Sequence, residues 1–384
     1  MDASISPINR AVGLQNLVRQ HADDAERNRH LSAVVAEAMA AQGLYRIAAP
    51  REFYGEEADP VSQIRTIEEI AKADGSAGWN LMIGIESFGL NAPAFQDCRE
   101  LIADPTVVLC GSTAAVGRAD RVEGGYLVNG QWQFVSGCHN SQIFSATVRL
   151  FENGEPVPNE INRYAVIERP DFSIIDTWHV GGMRGSGSHD VRVENVLVPP
   201  TRIVAPIGGT KHPSPLLRFP LAARLAYNKV GVSLGIARAA IDAFVELAQG
   251  KTPRFTRKTL RERQHAHVAV AEAEVRLRAC RALVFELTEQ IWQAVLADET
   301  VDAKTRALFQ IACSDAVRGC VQAVDLVCEA AGTTANQVAH PLERMARDVR
   351  VVRQHLTVAA LHIEDGGRVL LGLEPKEAML KGLG

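Results

Sequence analysis

The spacing of apolar residues changes twice along this chain, from the three-and-four spacing of helices to the alternation of strands and back again. That order restricts the fold to helices, then a β region, then more helices. From about Ala11 to Cys98 the pattern is helical: Leu31 to Met39 carries apolar residues on one face, and Gly43 supplies a stop. A second apolar helix runs through Ala77 to Ile83 behind Asp74-Gly75-Ser76, where Asp or Ser can cap the orphan N–H groups. Between about Val107 and Val204 the period is two. Tyr126-Leu127-Val128, Asn129-Gly130 and Gln131 to Phe134 predict a hairpin turning at Asn129-Gly130, with further strands at Arg163 to Ile167 and Asp190 to Val198. Four long helical patterns follow, at Leu221 to Leu247, His265 to Leu296, Ala303 to Glu329 and Pro341 to Ile363; each is too apolar on one face to be solitary, so they predict an antiparallel bundle.

The predicted class is α+β, mostly α, with a helical unit over 1–106, a β unit over 107–205 and a helical bundle over 206–384. With 384 residues, 47% hydrophobic and 22% charged, the chain can bury a sizeable core without disulfides. Seven cysteines without a CxxC pair predict neither a disulfide framework nor a zinc site, and Cys313, Cys320 and Cys328 read as core thiols. His265 and His267 form an HxH pair on different faces of a helix, so no metal is expected. A net charge of -4 without a Lys/Arg block argues against nucleic acid. Met1 to Gln20 lacks a signal-peptide pattern and no apolar run is long enough to span a bilayer, which predicts a cytoplasmic protein without a membrane partner.

The glycine-rich run Gly181 to Ser188 precedes a strand rather than opening a helix, so it is no dinucleotide fingerprint; it reads either as a structural turn or as a loop that brings backbone N–H groups close to a cofactor. Four blocks occur in order along the chain: Asp74-Gly75-Ser76 with Trp79, Trp132 to His139, Trp178 to Asp190, and Pro341 to Asp348. Together they resemble the acyl-CoA dehydrogenase superfamily, and more narrowly its flavin-dependent hydroxylase branch. The resemblance implies the acyl-CoA dehydrogenase fold, with a central β-barrel-like domain and a C-terminal four-helix bundle. It also implies a homotetramer, with flavin between the β domain and the bundle.

Dehydrogenases of this superfamily need a carboxylate to remove a proton α to a thioester. Counting from Arg347-Asp348, the usual position falls at about Leu356, and Pro213 to Ile241, where other relatives carry the base, contains no Asp or Glu. His355 occupies the region instead. The hydroxylase branch is similar in using a histidine there, which implies that His355 orients or deprotonates an aromatic substrate; a packed histidine is the alternative reading. The resemblance also gives Ser136 a hydrogen bond to the flavin, steadying a C4a-hydroperoxyflavin. Glu86 falls close to where phenol hydroxylases place a histidine, and a carboxylate acceptor there suits the N–H of an indole better than a phenolate; an exposed helix-end Glu is the alternative.

The resemblance implies cofactor contacts from Trp132, Ser136, Gly137, Gly185 and Ser186, and from Arg254, Phe255 and Gln264 across a subunit interface. His139 is a further pocket candidate. The expected activity is that of an oxygenase component hydroxylating a small aromatic or heteroaromatic molecule, indole-type first and phenolic next. It would use molecular oxygen and reduced flavin, FADH2 or FMNH2, from a separate NAD(P)H:flavin reductase. The alternatives are a dehydrogenase or oxidase with a displaced base, and an inactive binding member of the superfamily.

Overall fold

The computed structural model describes residues 5–205, 213–377 and 380–381. The boundary expected at 206 and the first four residues of the Met1 to Gln20 segment lie outside them. Four helices come first: α1 (Pro7–Asn28), α2 (Ala33–Ala41), α3 (Pro60–Ala71) and α4 (Gly75–Asn91). Their ends follow from local chemistry. Asp74 caps α4 by accepting from the Ala77 N–H, Asp59 does the same for α3 through Ser62, and Gly43 takes a positive φ of 67° just past α2.

Eight strands follow: β1 (Leu109–Val122), β2 (Gly125–Trp132), β3 (Ile143–Glu152), β4 (Glu155–Pro156), β5 (Arg163–Glu168), β6 (Ser173–Ile175), β7 (Asp190–Val198) and β8 (Ile203–Val204). They form one mixed sheet in the order β6-β7-β2-β1-β3-β5-β8, with β4 paired to β3 and the β1–β3 pair parallel. The expected hairpin is displaced. The chain reverses at Glu123-Gly124, where Gly124 has φ 84° and Val122 faces Gly125, while Asn129 and Gly130 lie within β2. They serve a bulge instead: the register to β7 shifts between Val128 and Gly130, and Asn129 Oδ1 accepts from the Asn195 N–H.

The remaining helices are α5 (Pro215–Arg218), α6 (Leu221–Gly250), α7 (Gln264–Leu296), α8 (Ala303–Ala331), α9 (Pro341–Val352) and α10 (Leu361–Leu370). Helix α8 packs on α6, α7, α9 and α10, with Cys313 and Cys320 fully buried and Cys328 partly so. The helix expected over Pro341 to Ile363 is broken: α9 stops at Val352, and His355 is extended (φ -67°, ψ 135°), capping the short turn Leu356–Val358. Two apolar cores result. One joins the N-terminal helices to the bundle through residues such as Phe88, Tyr227 and Phe309, and the other, with Trp132, Phe144 and Phe172, belongs to the sheet. Among the described residues no helix is long and apolar enough to cross a membrane.

Candidate active site

Helix α4 is the element on which the three regions meet, because it packs against β1, α6 and α9. Trp79, Ile83 and Glu86 fall on one of its faces by helical spacing. The Trp79 indole donates to Ser136 Oγ at 3.0 Å, and its ring meets the His355 imidazole edge-on at 5.5 Å. Ser136 Oγ lies 2.7 Å from Ser188 Oγ, which lies 2.8 Å from Ser186 Oγ. All three hydroxyls are buried. Because Ser136 accepts from Trp79, its own proton is left for Ser188 or for a ligand.

His355 sits where the fourth bundle helix breaks. Its Nδ1 accepts the Thr357 N–H at 3.3 Å and lies 2.9 Å from Thr357 Oγ1. Accepting at Nδ1 assigns the proton of the neutral ring to Nε2, so the free edge of His355 is a donor. Burial, reinforced by the Lys229 charge, pushes its pKa down to about 3. A ring held neutral so firmly orients a partner by donating to it. It is a weak base, and of the two roles expected of His355 this geometry favours orientation over deprotonation.

Glu86 is not an exposed helix-end residue. Its side chain is 10% accessible, and both carboxylate oxygens lie 2.5 Å from Lys229 Nζ on α6. Asn228 Nδ2 adds a contact of 3.4 Å. Burial pushes the Glu86 carboxyl up and the Lys229 ammonium down, each partner pulling the other part of the way back. With both oxygens engaged by the ammonium, Glu86 is not a free base for a thioester, and any substrate N–H would share the carboxylate with Lys229.

Several expected cofactor contacts are turned inward. Trp132 is fully buried in the sheet core with its N–H on the Thr147 carbonyl, because β2 ends there and the alternation breaks at Phe134, which has φ 60°. Phe134 is the aromatic that reaches the surface, 68% exposed and edge-on to Trp178. The Gly137 N–H is used by the Ser186 carbonyl. The glycine run is tightly packed, which supports its reading as a structural turn: a Cβ on Gly182 would meet the Arg347 carbonyl at 2.6 Å, and one on Gly185 would meet Ala25 and Ser76. Ser186 is buried, and its hydroxyl reaches Ser136 through Ser188. Arg254 and Phe255 lie on the exposed connection between α6 and α7 and Gln264 opens α7, Phe255 with φ 63° and its whole ring in solvent. His139 stacks on His30 at 4.1 Å and meets His189 edge-on, which places it between the α1–α2 connection and the sheet.

The structure therefore brings Ser136, His355 and Glu86 around one helix, with Ser188 from the glycine-rich run, and adds Trp79, Phe134, Asn228 and Lys229, to which sequence reasoning gave no site role. One signal for Lys229 was available. A cation in an apolar helical stretch without any Asp or Glu must find its counter-charge on another element. An exposed aromatic, a buried hydroxyl and a neutral imidazole donor fit a flat, polar-edged ring such as a flavin, with Phe134 and Ser136 as the residues to hold it.

Residues 13–93 match the family description "Acyl-CoA dehydrogenase, N-terminal domain", and residues 229–360 match "Acyl-CoA dehydrogenase, C-terminal domain". The chain is 31% identical over 358 residues to an indole-3-acetate monooxygenase of Pseudomonas putida, covering 93% of this chain and 91% of that protein. It is 30% identical over 352 residues to the oxygenase subunit of a flavin-dependent monooxygenase of Rhodococcus jostii, covering 88% and 91% of the two chains. Among solved structures, a 3-HSA hydroxylase from Rhodococcus sp. RHA1 superimposes with a TM-score of 0.86 at 27% identity, over 98% of this chain and 99% of that one.

Proposed function

The chain belongs to the flavin-dependent monooxygenases of the acyl-CoA dehydrogenase superfamily, as the oxygenase component of a two-component aromatic hydroxylase, and from that premise we propose that it hydroxylates an indole-type ring beside α4. A separate reductase supplies the reduced flavin. The observation that carries the reading is the state of the carboxylate at this junction: Glu86 is closed off by Lys229, and the His355 ring has its Nδ1 taken by the Thr357 N–H, which leaves Nε2–H as its free donor. Such a site lacks the base that thioester oxidation requires. Two relatives are named for indole-3-acetate, which supports an indole over a phenol.

Reduced flavin, when bound, supplies the electrons that activate dioxygen for transfer of one oxygen atom to the ring. The protein's share is positional. Trp79 fixes the Ser136 hydroxyl, so that its O–H would be available to the flavin edge, and His355 would offer Nε2–H to the substrate. Lys229 neutralises Glu86, leaving the site without a free negative charge beside the reacting ring. Phe134 and Trp178 would cover the site against water.

We also infer a homotetramer in which Arg254, Phe255 and Gln264 reach the flavin of another copy. Helix α7 supports this with Val268, Val275 and Leu283, which are 49%, 69% and 41% exposed. A groove of about 390 Å³ lined by Arg261, Ala266 and His267 adjoins the same connection. The test is direct: supply chemically reduced flavin and air, and analyse for hydroxylated indole. Product formation with indoles, and none of the enoyl product from acyl-CoA, is expected; the reverse pattern overturns the reading.

A further inference from the structure

The charges beside Glu86 do not balance. Arg224 lies one turn before Asn228 and Lys229 on α6, is 6% exposed, and donates to the Gly89 carbonyl at 2.7 Å. Glu86 is the acid whose field reaches both Arg224 and Lys229, and those two are the cations that act on Glu86. The Tyr227 phenol, also close to Arg224, is pushed up by burial, stays neutral and donates to Gln63. His355 is neutral as well. Whether the Glu86–Lys229 proton sits on nitrogen or oxygen, the pair sums to zero. A guanidinium keeps its proton, so among the described residues one positive charge at this end of the site is left without a carboxylate partner.

A second observation points to a ligand independently. Asn228 is 2% exposed, its Nδ2 faces Glu86 and the Arg224 carbonyl, and its Oδ1 is buried with no hydrogen-bond partner. An uncompensated cation beside an unfilled acceptor is costly in an empty site and favourable in one that receives an anion and an N–H donor. We propose that Arg224, Asn228 and Lys229 form a recognition subsite for an indole bearing a carboxylate, with Arg224 drawing the carboxylate and Asn228 Oδ1 accepting the ring N–H. This rests on the indole hydroxylase reading above and adds the acidic substituent to it. Glu86 thereby changes role: it holds Lys229 and limits the subsite to a single positive charge, and Asn228 takes the N–H.

The test compares indole-3-acetate, 1-methylindole-3-acetate and indole on the full-length protein, by calorimetric binding and by hydroxylation with supplied reduced flavin. Arg224→Gln keeps a donor for the Gly89 carbonyl and should weaken indole-3-acetate about tenfold or more, leaving indole within about twofold. Arg224→Lys should retain most of the preference for the acid, which separates charge from packing. Asn228→Leu should penalise indole-3-acetate more than its N-methyl analogue. Equal losses for acid and neutral ring, or no loss in either variant, would overturn the proposal, as would an Arg224→Gln effect confined to the dissociation constant of reduced flavin. If the wild-type protein hydroxylates none of the three, the indole hydroxylase reading itself fails; if it hydroxylates them without regard to charge, only the subsite does.

Discussion

Trp79 donates its indole N–H to Ser136 Oγ across 3.0 Å, tying the helix at the centre of the molecule to the turn that follows β2. One buried hydrogen bond of this kind is worth about 1 kcal/mol, and more when it orients a reacting group. Trp79→Phe keeps the ring against His355 and deletes the bond. It should lower the fraction of reduced flavin whose oxidation yields hydroxylated product, with hydrogen peroxide making up the difference, while the rate of flavin oxidation itself changes little. Product and peroxide measured in the same reaction check this; an unchanged ratio would show that Ser136 needs no such support.

His355 should leave no mark on the pH profile near its ordinary pKa. Its folded-state value, about 3, lies below the ordinary 6.5, so the neutral ring persists as pH falls and protonates only in strong acid. Hydroxylation kcat/KM should therefore show no histidine limb between about pH 5.5 and 7.5, one unit either side of the ordinary value. His355→Ala should cost roughly a hundredfold in product formation while flavin oxidation continues. A limb near pH 6.5 that vanishes in His355→Ala would return the residue to the role of a base.

Asp348 carries a stability prediction. Its carboxyl is buried, accepts the Met183 N–H at 2.6 Å and is pushed up to about 7, first by burial and then by Asp74. A folded pKa above the unfolded 3.8 means that the native state holds a proton the unfolded chain releases, so this group contributes least penalty below about pH 4 and most above pH 7. Asp348→Asn preserves an acceptor for Met183. Its stability relative to the parent should rise between pH 4 and 7, by on the order of a few kcal/mol at the upper end. Denaturant melts at both pH values decide it, and a variant equally or less stable at pH 7.5 would mean that the ionised carboxylate is well paired.

The apolar residues on the outer face of α7 should be covered in solution. Sedimentation at micromolar concentration is expected to give a tetramer, and Val275→Asp combined with Leu283→Asp should shift it to smaller species with weaker flavin binding. A monomeric parent protein would remove the inter-subunit role of Arg254, Phe255 and Gln264.

Much of the scaffold was legible because one-dimensional patterns encode it. The change of period located the sheet, Asp190 to Val198 is a strand from end to end, and Asp74 and Gly43 delimit helices through capping chemistry. What failed depended on partners distant in sequence. Asn129-Gly130 has turn chemistry, yet the turn goes to Glu123-Gly124 because β7 places Asn195 opposite Asn129. Val351, Val352 and Ala359 continue a helical stripe across His355 without a Gly or Pro to mark the break. The pairing of Glu86 with Lys229 spans 143 residues, and no local pattern announces it. Ser136, His355 and Glu86 were found by resemblance, but whether each donates, accepts or is already occupied needed three dimensions.

The most direct measurement follows the oxygen atom. Hydroxylation of an indole with supplied reduced flavin under ¹⁸O₂ should place one ¹⁸O in the product, and an acyl-CoA offered to the flavin-loaded protein without oxygen should leave oxidised flavin unbleached. Product oxygen drawn from water, or anaerobic bleaching by the thioester, would contradict the account.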